Sequence, residues 1–408
     1  MLPEGWKQTT VGNACAIKNN LRLPISTEQR SGMHGPYPYF GPTGVLGYLD
    51  HYRINEEFAL IGEDGDHFLK FKEREMTLYF SGKANVNNHA HIVGNSSACL
   101  AKWFHYTFMH CDLTPVLSRQ GVGRYKLTKS GLENLKIILP SIAEQEQIIT
   151  VLATWDDAIA ATQKLVANTR QQKRALMQQL LSGKRRLKQF ARSDRRVATR
   201  FGSLPVDWEH VAIERVANEF SAKNVADEPL PVLSCTKHAG LVDSLAYFNK
   251  RIFSEDTTTY KIVERNCFAY ATNHIDEGSI GYQNLYDKAL ISPMYTVFKT
   301  SGAIDDGFLF KLLKTEHYRQ IFAANTNASV DRRGSLRWGD FKKIEIPLPS
   351  LQEQAAISAV IDVAEQEISS LEKQLAVLRE EKRALMQQLL TGKRRVRVSV
   401  CEEETSAS

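Results

Sequence analysis

At 408 residues the chain exceeds a single small domain, and its 43% hydrophobic and 9% aromatic content exclude an extensively disordered one. A net charge of +6, from 52 Lys and Arg against 46 Asp and Glu, permits polyanion binding without requiring it. No apolar run approaches the roughly 18 residues of a membrane span, and the opening Met1-Leu2-Pro3-Glu4-Gly5-Trp6 has the pattern of neither a secretory signal nor a transit peptide. The six cysteines (Cys15, Cys99, Cys111, Cys235, Cys267, Cys401) form no CxxC pair, which suits free thiols and an expected cytoplasmic location.

In chain order, residues 1–140 hold turn-rich, aromatic and β-branched runs such as Gly35 to Tyr48, Phe58-Ala59-Leu60-Ile61 and Met76 to Phe80, which predict a first domain of short strands with a few helices. Residues 141–183 predict one long helix. Pro140 and Ser141 supply its start, with Glu144 completing a capping box, and Gly183 supplies its stop. Residues 184–203 are basic and predict a surface linker. Residues 204–349 form a second domain similar in kind, with strands at Cys267 to Tyr270 and Tyr295 to Phe298 and a helix from Asp306 to Ala324. Residues 350–392 predict a second long helix, stopped at Gly392, and 393–408 a tail.

Self-comparison explains this order. Lys173 to Arg186 returns as Lys382 to Arg395 with thirteen of fourteen positions identical, an offset of 209. At that offset Leu139-Pro140-Ser141 pairs with Leu348-Pro349-Ser350, and Glu144-Gln145 with Glu353-Gln354. A fainter echo links Leu2-Pro3 and Trp6 with Leu204-Pro205 and Trp208. Each half is a variable region followed by a near-copied segment.

Within the first copy, Ile148, Leu152, Trp155, Ile159, Thr162, Val166, Thr169, Lys173, Leu176 and Leu180 recur at alternating spacings of 4 and 3. That is the seam of a coiled coil, and its partners in the second copy keep it. About 40 helical residues make a rod of roughly 60 Å. Such a narrow apolar seam needs covering, and the other copy is the nearest candidate. Lys173 and Lys382, at the same seam position, oppose a plain hydrophobic zipper there and fix register.

Two equivalent helices can recruit two copies of one partner around an approximate two-fold axis, whereas two unlike domains cannot bind one thing in one way. Duplex DNA suits such an object, since two readers about one helical turn apart, roughly 34 Å, can each enter a groove. The variable-conserved-variable-conserved plan, the Leu-Pro and Glu-Gln at both helix starts, Trp6 and Trp208, and the Asn87-Asn88-His89-Ala90 and Gly278-Ser279-Ile280-Gly281 segments together resemble the specificity subunit of type I restriction-modification enzymes. The resemblance covers nearly the whole length. It implies an α+β protein with two mixed α/β target-recognition domains joined by two long helices packed as an antiparallel coiled coil, a pseudo-two-fold repeat. It further implies that each domain reads half of a bipartite asymmetric DNA site, that the helices set the spacer, and that two methyltransferase subunits dock on them. Restriction subunits complete the complex. The chain itself is then non-catalytic, and S-adenosylmethionine, ATP and Mg are expected on partner subunits.

Base reading calls for Arg, Asn, Gln, Ser or Thr on loops, and phosphate contact for Lys, Arg and free N–H groups. Ser118, Arg119, Gln120 and Arg124 lie on such a loop just before the strand that enters the first helix. Asn327, Arg332, Arg333, Ser335 and Arg337 occupy the corresponding place in the second half. Lys83, Asn85, Asn87, Asn88 and His89 form another polar segment, with Asn273 its weaker counterpart. Any one of these also suits a plain exposed turn or a local hydrogen bond.

Other features carry less. His89, His91, Cys99, His105, His110 and Cys111 lack zinc-finger spacing; Phe40 to Gly44 lacks GxGxxG; no GxxxxGK[ST] phosphate loop or adenine-methyltransferase motif occurs. Glu63, Asp64 and Asp66 read as a solvated turn. The rival to a DNA reader is a coiled-coil scaffold without nucleic-acid binding.

Overall fold

The computed structural model describes residues 2–119, 125–193, 195–199, 202–237, 239–326 and 334–397. They group into two compact units, Met1–Gln163 with Lys373–Ser408, and Lys164–Glu372. No helix among the described residues is long and apolar enough to cross a membrane.

In the first unit β1 (Lys7–Thr10) leads through α1 (Val11–Ala14) to β2 (Ala16–Ile17). After α2 (Thr27–Ser31) come the hairpin β3 (Tyr37–Gly41) and β4 (Gly44–Leu49), then β5 (Ile54–Gly62), β6 (Thr77–Val86) and β7 (Ala90–Gly94). Six strands make one sheet in the order β2-β7-β5-β6-β3-β4, antiparallel except for β3 beside β6. The continuous apolar run of β5 follows from burial on both faces. Ala59 and Ile61 enter a core with Trp103 and Phe104 of α3 (Ala101–Phe108), while Ile54, Phe58 and Leu60 enter a second core with Phe40 and Ile92. The short pair β8 (Ser118–Arg119) and β9 (Tyr125–Lys126) follows, then α4 (Lys129–Asn134), and β10 (Lys136–Leu139) pairs with β1 and runs into α5 (Ile142–Leu180).

The second unit opens differently. The stretch expected as a linker carries an antiparallel pair, β11 (Arg196–Thr199) and β12 (Gly202–Pro205). Then β13 (Glu209–Ala212) and β14 (Ala217–Glu219) precede the hairpin β15 (Leu233–Thr236) and β16 (Gly240–Asp243), α6 (Ser244–Phe248) and β17 (Lys261–Glu264). After β18 (Cys267–Ala271), β19 (Ile280–Tyr282), β20 (Lys288–Ile291) and β21 (Tyr295–Thr300) come α7 (Asp306–Leu313), α8 (Glu316–Asn325) and α9 (Trp338–Phe341). Finally β22 (Glu345–Leu348) pairs with β13 and enters α10 (Leu351–Leu389). The main sheet runs β14-β21-β18-β19. In β18 the alternation repeats, with Phe268 and Tyr270 in one core and Cys267 and Ala269 in another. The single helix expected from Asp306 to Ala324 is two, because the Thr315 hydroxyl accepts the Tyr318 N–H at 3.4 Å and caps a new start.

Both long helices span 39 residues. In the first unit the start of α5 lies antiparallel to the end of α10: Lys382 meets Asp156, Arg395 meets Glu144, and Met386 and Leu389 share a core with Ile148 and Leu152. In the second unit the end of α5 lies antiparallel to the start of α10, through Lys173–Glu365 at 2.6 Å, Arg170–Glu372 at 2.5 Å and Arg186–Glu353 at 2.6 Å. Asp156 and Glu365 stand at the offset of 209, so both seam lysines find a carboxylate on the opposite helix.

The faint Leu-Pro and Trp echo closes each unit. Trp6 Nε1 donates to Glu144 at 3.1 Å, and Arg395 clamps the same carboxylate at 3.0 and 2.8 Å. Trp208 Nε1 donates to Glu353 at 3.1 Å, clamped by Arg186 at 2.9 and 2.6 Å. The expected capping box is therefore half made. Ser141 and Ser350 accept the Glu144 and Glu353 amides at 3.3 Å, but the carboxylates, nearly sealed from solvent, satisfy their charge on indole and guanidinium. Gly183 and Gly392 turn the chain at φ of +63° and +72°, and a Cβ on either would strike Pro205 or Pro3.

Candidate nucleic-acid interface

The first unit gathers its sequence candidates around the turn after β5. The Leu127 amide donates to the Glu63 carbonyl at 2.7 Å and the Gly65 amide to the Tyr125 carbonyl at 3.0 Å, tying Tyr125 and Leu127 to this turn. The Glu63 amide donates to the His89 carbonyl at 2.8 Å, which brings in the β6–β7 turn. Glu63 is not a solvated carboxylate. Arg22 binds it at 2.7 Å and Lys126 at 3.2 Å. Burial would raise its carboxyl, but these two cations hold it below the usual carboxylate range. Arg22 also donates to the Asn88 carbonyl at 3.2 Å and meets His91 Nδ1 at 2.6 Å. Sequence reasoning missed Arg22 and Lys126, which lie in no motif.

Individual candidates divide sharply. Asn88 and His89 are exposed, and the His89 ring reaches Asp64 at 3.0 Å. Ser118 is exposed and its hydroxyl donates to the Lys126 carbonyl at 3.2 Å, with Arg119 beside it in β8. Asn85 and Asn87 are buried instead: Asn85 lies in the fully buried end of β6, Ala84 to Val86, and Asn87 follows directly after it. The Asn85 amide donates to the His51 carbonyl at 2.7 Å, and the Asn87 side chain accepts the His89 amide at 2.9 Å. Both hold turns. Lys83 is exposed, with its Nζ 4.8 Å from the Tyr52 ring centroid and 6.0 Å from that of Tyr37. Gln120 and Arg124 lie outside the described residues.

The second unit repeats the arrangement with other side chains. The Leu336 amide donates to the Thr272 carbonyl at 2.8 Å. Both residues stand 209 positions beyond Leu127 and Glu63, so the same backbone bond fixes the loop before each long helix against the turn after a central strand. It joins half-buried Asn273 to half-buried Ser335 and exposed Arg337, the residue preceding α9. Asn327, Arg332 and Arg333 lie outside the described residues. Among those described, no group of three or more His, Cys, Asp or Glu residues is placed to hold a metal ion.

Two unlike sheet units, each closed by one copy of a repeated helix pair and each carrying a polar loop at the same point of the chain, define a duplicated recognition protein. The chain belongs to a known family of this class. The model of the type I restriction modification DNA specificity domain matches residues 3–168 and again 205–379. Specificity subunits of this family are non-catalytic components of restriction-modification complexes and assemble with other subunits and DNA. The chain is 26% identical over 413 residues to the MjaVIII type I restriction enzyme specificity subunit of Methanocaldococcus jannaschii, covering 97% of this chain and 94% of that one. It is 30% identical over 156 residues to a type I specificity subunit of Haemophilus influenzae, covering 38% of this chain and 37% of that one. Its fold is similar to a solved type I S subunit from M. genitalium, with a TM-score of 0.57 at 13% identity over 94% and 96% of the two chains.

Proposed function

We propose that this chain reads one bipartite DNA site, each unit recognising one half through the loop cluster fixed at the end of its central strand. The observation that carries this reading is the pair of equivalent bonds, Leu127 to Glu63 and Leu336 to Thr272, which present different side chains from one frame. In the first unit Asn88, His89, Ser118, Arg119, Gln120 and Arg124 offer base-edge and phosphate partners. In the second these are Asn273, Asn327, Arg332, Arg333, Ser335 and Arg337. The repeated helices dock two methyltransferase subunits, and their length sets the number of unread base pairs. S-adenosylmethionine, ATP and Mg belong to the partner subunits, restriction subunits among them, and the complex works in the cytoplasm.

The test is an exchange. Residues 1–140 are replaced by those of a relative, the chain is expressed with its methyltransferase partner, and methylated genomic positions are sequenced. One half of the motif changes and the other half and the gap persist. A motif altered in both halves, or in neither, sinks the assignment. Salt-independent behaviour of the assembled complex on DNA would favour the coiled-coil scaffold instead.

A further inference from the structure

Away from the loop clusters, each unit exposes aromatic rings near a lysine on the chain that leaves or borders a hairpin. In the first unit the β3–β4 hairpin lies next to β6, and Tyr39 pairs with Asn85 in parallel register. Two residues earlier on both strands, Tyr37 and Lys83 are therefore neighbours. The Tyr37 and Tyr52 rings meet edge to face at 5.0 Å, and Lys83 stands over them. Asn85, buried beneath, pins the turn that carries Tyr52 by its bond to the His51 carbonyl. Tyr52, on the turn after β4, is 40% exposed, a large value for an aromatic ring. On the same turn Asp50 is engaged by the His51 ring at 2.7 Å.

The second unit has different residues beside its own hairpin. The β15–β16 hairpin lies against β19, which pairs with the central strand β18 as β6 pairs with β5. The chain leaving it carries Tyr247, 55% exposed and 5.0 Å from the Phe248 ring, followed by exposed Lys250 and Arg251. Aromatic rings flanked by Lys and Arg suit the sugar edges and phosphates of a nucleic acid, whereas a protein-binding face of this size is depleted in Lys.

We infer that these two surfaces are a second set of DNA contacts, in which Lys83 and Lys250 each take a backbone phosphate and Tyr52 and Tyr247 press against the adjoining sugars and bases. The inference rests on the DNA-reading assignment above. A lysine held over two rings loses little side-chain freedom on meeting a phosphate, so its contact is efficient without specifying a base.

The experiment uses the full chain assembled with its methyltransferase partner and a duplex carrying the methylated motif, with affinity measured across a salt series. Lys83→Met and Lys250→Met each lower the slope of log affinity against log salt by about 0.9, and Lys83→Arg restores it. Tyr52→Ser and Tyr247→Ser weaken binding with the slope unchanged, and the methylated motif stays the same in every variant. Wild-type affinity and slope in the lysine variants would overturn the inference while leaving the DNA-reading assignment intact. So would weakened assembly with the methyltransferase at unchanged DNA affinity. A wild-type complex without motif-selective binding would overturn both.

Discussion

The corner that closes each unit uses the same Trp, Glu and Arg, yet the two arginines live in different surroundings. Arg186 has 8% of its side chain exposed, while Arg395 has 47%. The reason is one residue in the Leu-Pro and Trp echo. Before Trp208 stands Asp207, which takes the outer face of Arg186 at 2.8 and 2.9 Å; before Trp6 stands Gly5, so Arg395 turns to the Glu4 carbonyl at 3.2 Å. A repeat can thus preserve a contact while changing how strongly it depends on solvent.

The largest consequence falls on the buried carboxylate. Glu353→Ala leaves Arg186 and the Trp208 N–H without their partner in a sealed site, and should cost the second unit roughly 3–5 kcal/mol in urea denaturation. Arg186→Met should approach that loss and Arg395→Met should fall well short of it, because water already reaches the first-unit guanidinium. Equal losses for the two arginine variants would show that Asp207 adds nothing.

Acid divides the units next. Burial, the dominant cause, drives the His105 imidazole down to about 3, and the His91 ring is lowered for the same reason. His105 sits beside the Thr77 hydroxyl at 2.9 Å. A histidine held neutral when folded but able to take a proton when unfolded contributes stability above pH 6.5 that is lost as the pH falls toward 3. At pH 5 the His105 cost is roughly 2 kcal/mol. Among the described residues the second unit buries no histidine: His210 is half-buried and His274 and His317 are exposed. Hydrogen exchange on samples held at pH 7 and pH 5, labelled under one common condition, should show first-unit peptides losing protection first. Simultaneous loss in both units would contradict this account.

The plan of two sheet units on two repeated helices was legible because long-range repetition and heptad spacing survive without knowledge of contacts. Short-range reading did less well where the tertiary structure overrode it. Glu144 looked like a capping-box residue, but only the fold reveals that Trp6 and Arg395 arrive from opposite ends of the chain to claim it. Asn85 and Asn87 looked like exposed polar ligands because nothing local shows that the end of β6, Ala84 to Val86, and the residue after it are all buried. Glu63 and Thr272 share a position in the repeat but no side-chain chemistry, since the bond they have in common is accepted by their backbone carbonyls. A side-chain alphabet cannot carry that signal.

The smallest expected difference lies in the seam itself. Lys382 and Lys173 are the same residue of the repeat, each paired with a carboxylate across the helices. Lys382 is 7% exposed and stands over the Tyr106 ring at 5.3 Å, and the Tyr106 hydroxyl donates to the same Asp156 at 2.6 Å. Lys173, with 25% of its side chain exposed, faces a Glu365 that is 46% exposed. The first lysine is the more sealed of the two, in a three-member network whose Asp156 keeps 41% of its side chain exposed, and the second belongs to a wet pair of the kind worth under about 1 kcal/mol. Lys382→Met should therefore destabilise by about 1–2 kcal/mol. Lys173→Met should be close to neutral, since methionine keeps the stem's packing in the seam. A double-mutant cycle with Asp156→Asn should return a coupling near 1 kcal/mol, and the corresponding cycle with Glu365→Gln a coupling below about 0.5 kcal/mol. Equal couplings would mean that register is fixed by charge alone, wherever in the rod the lysine stands.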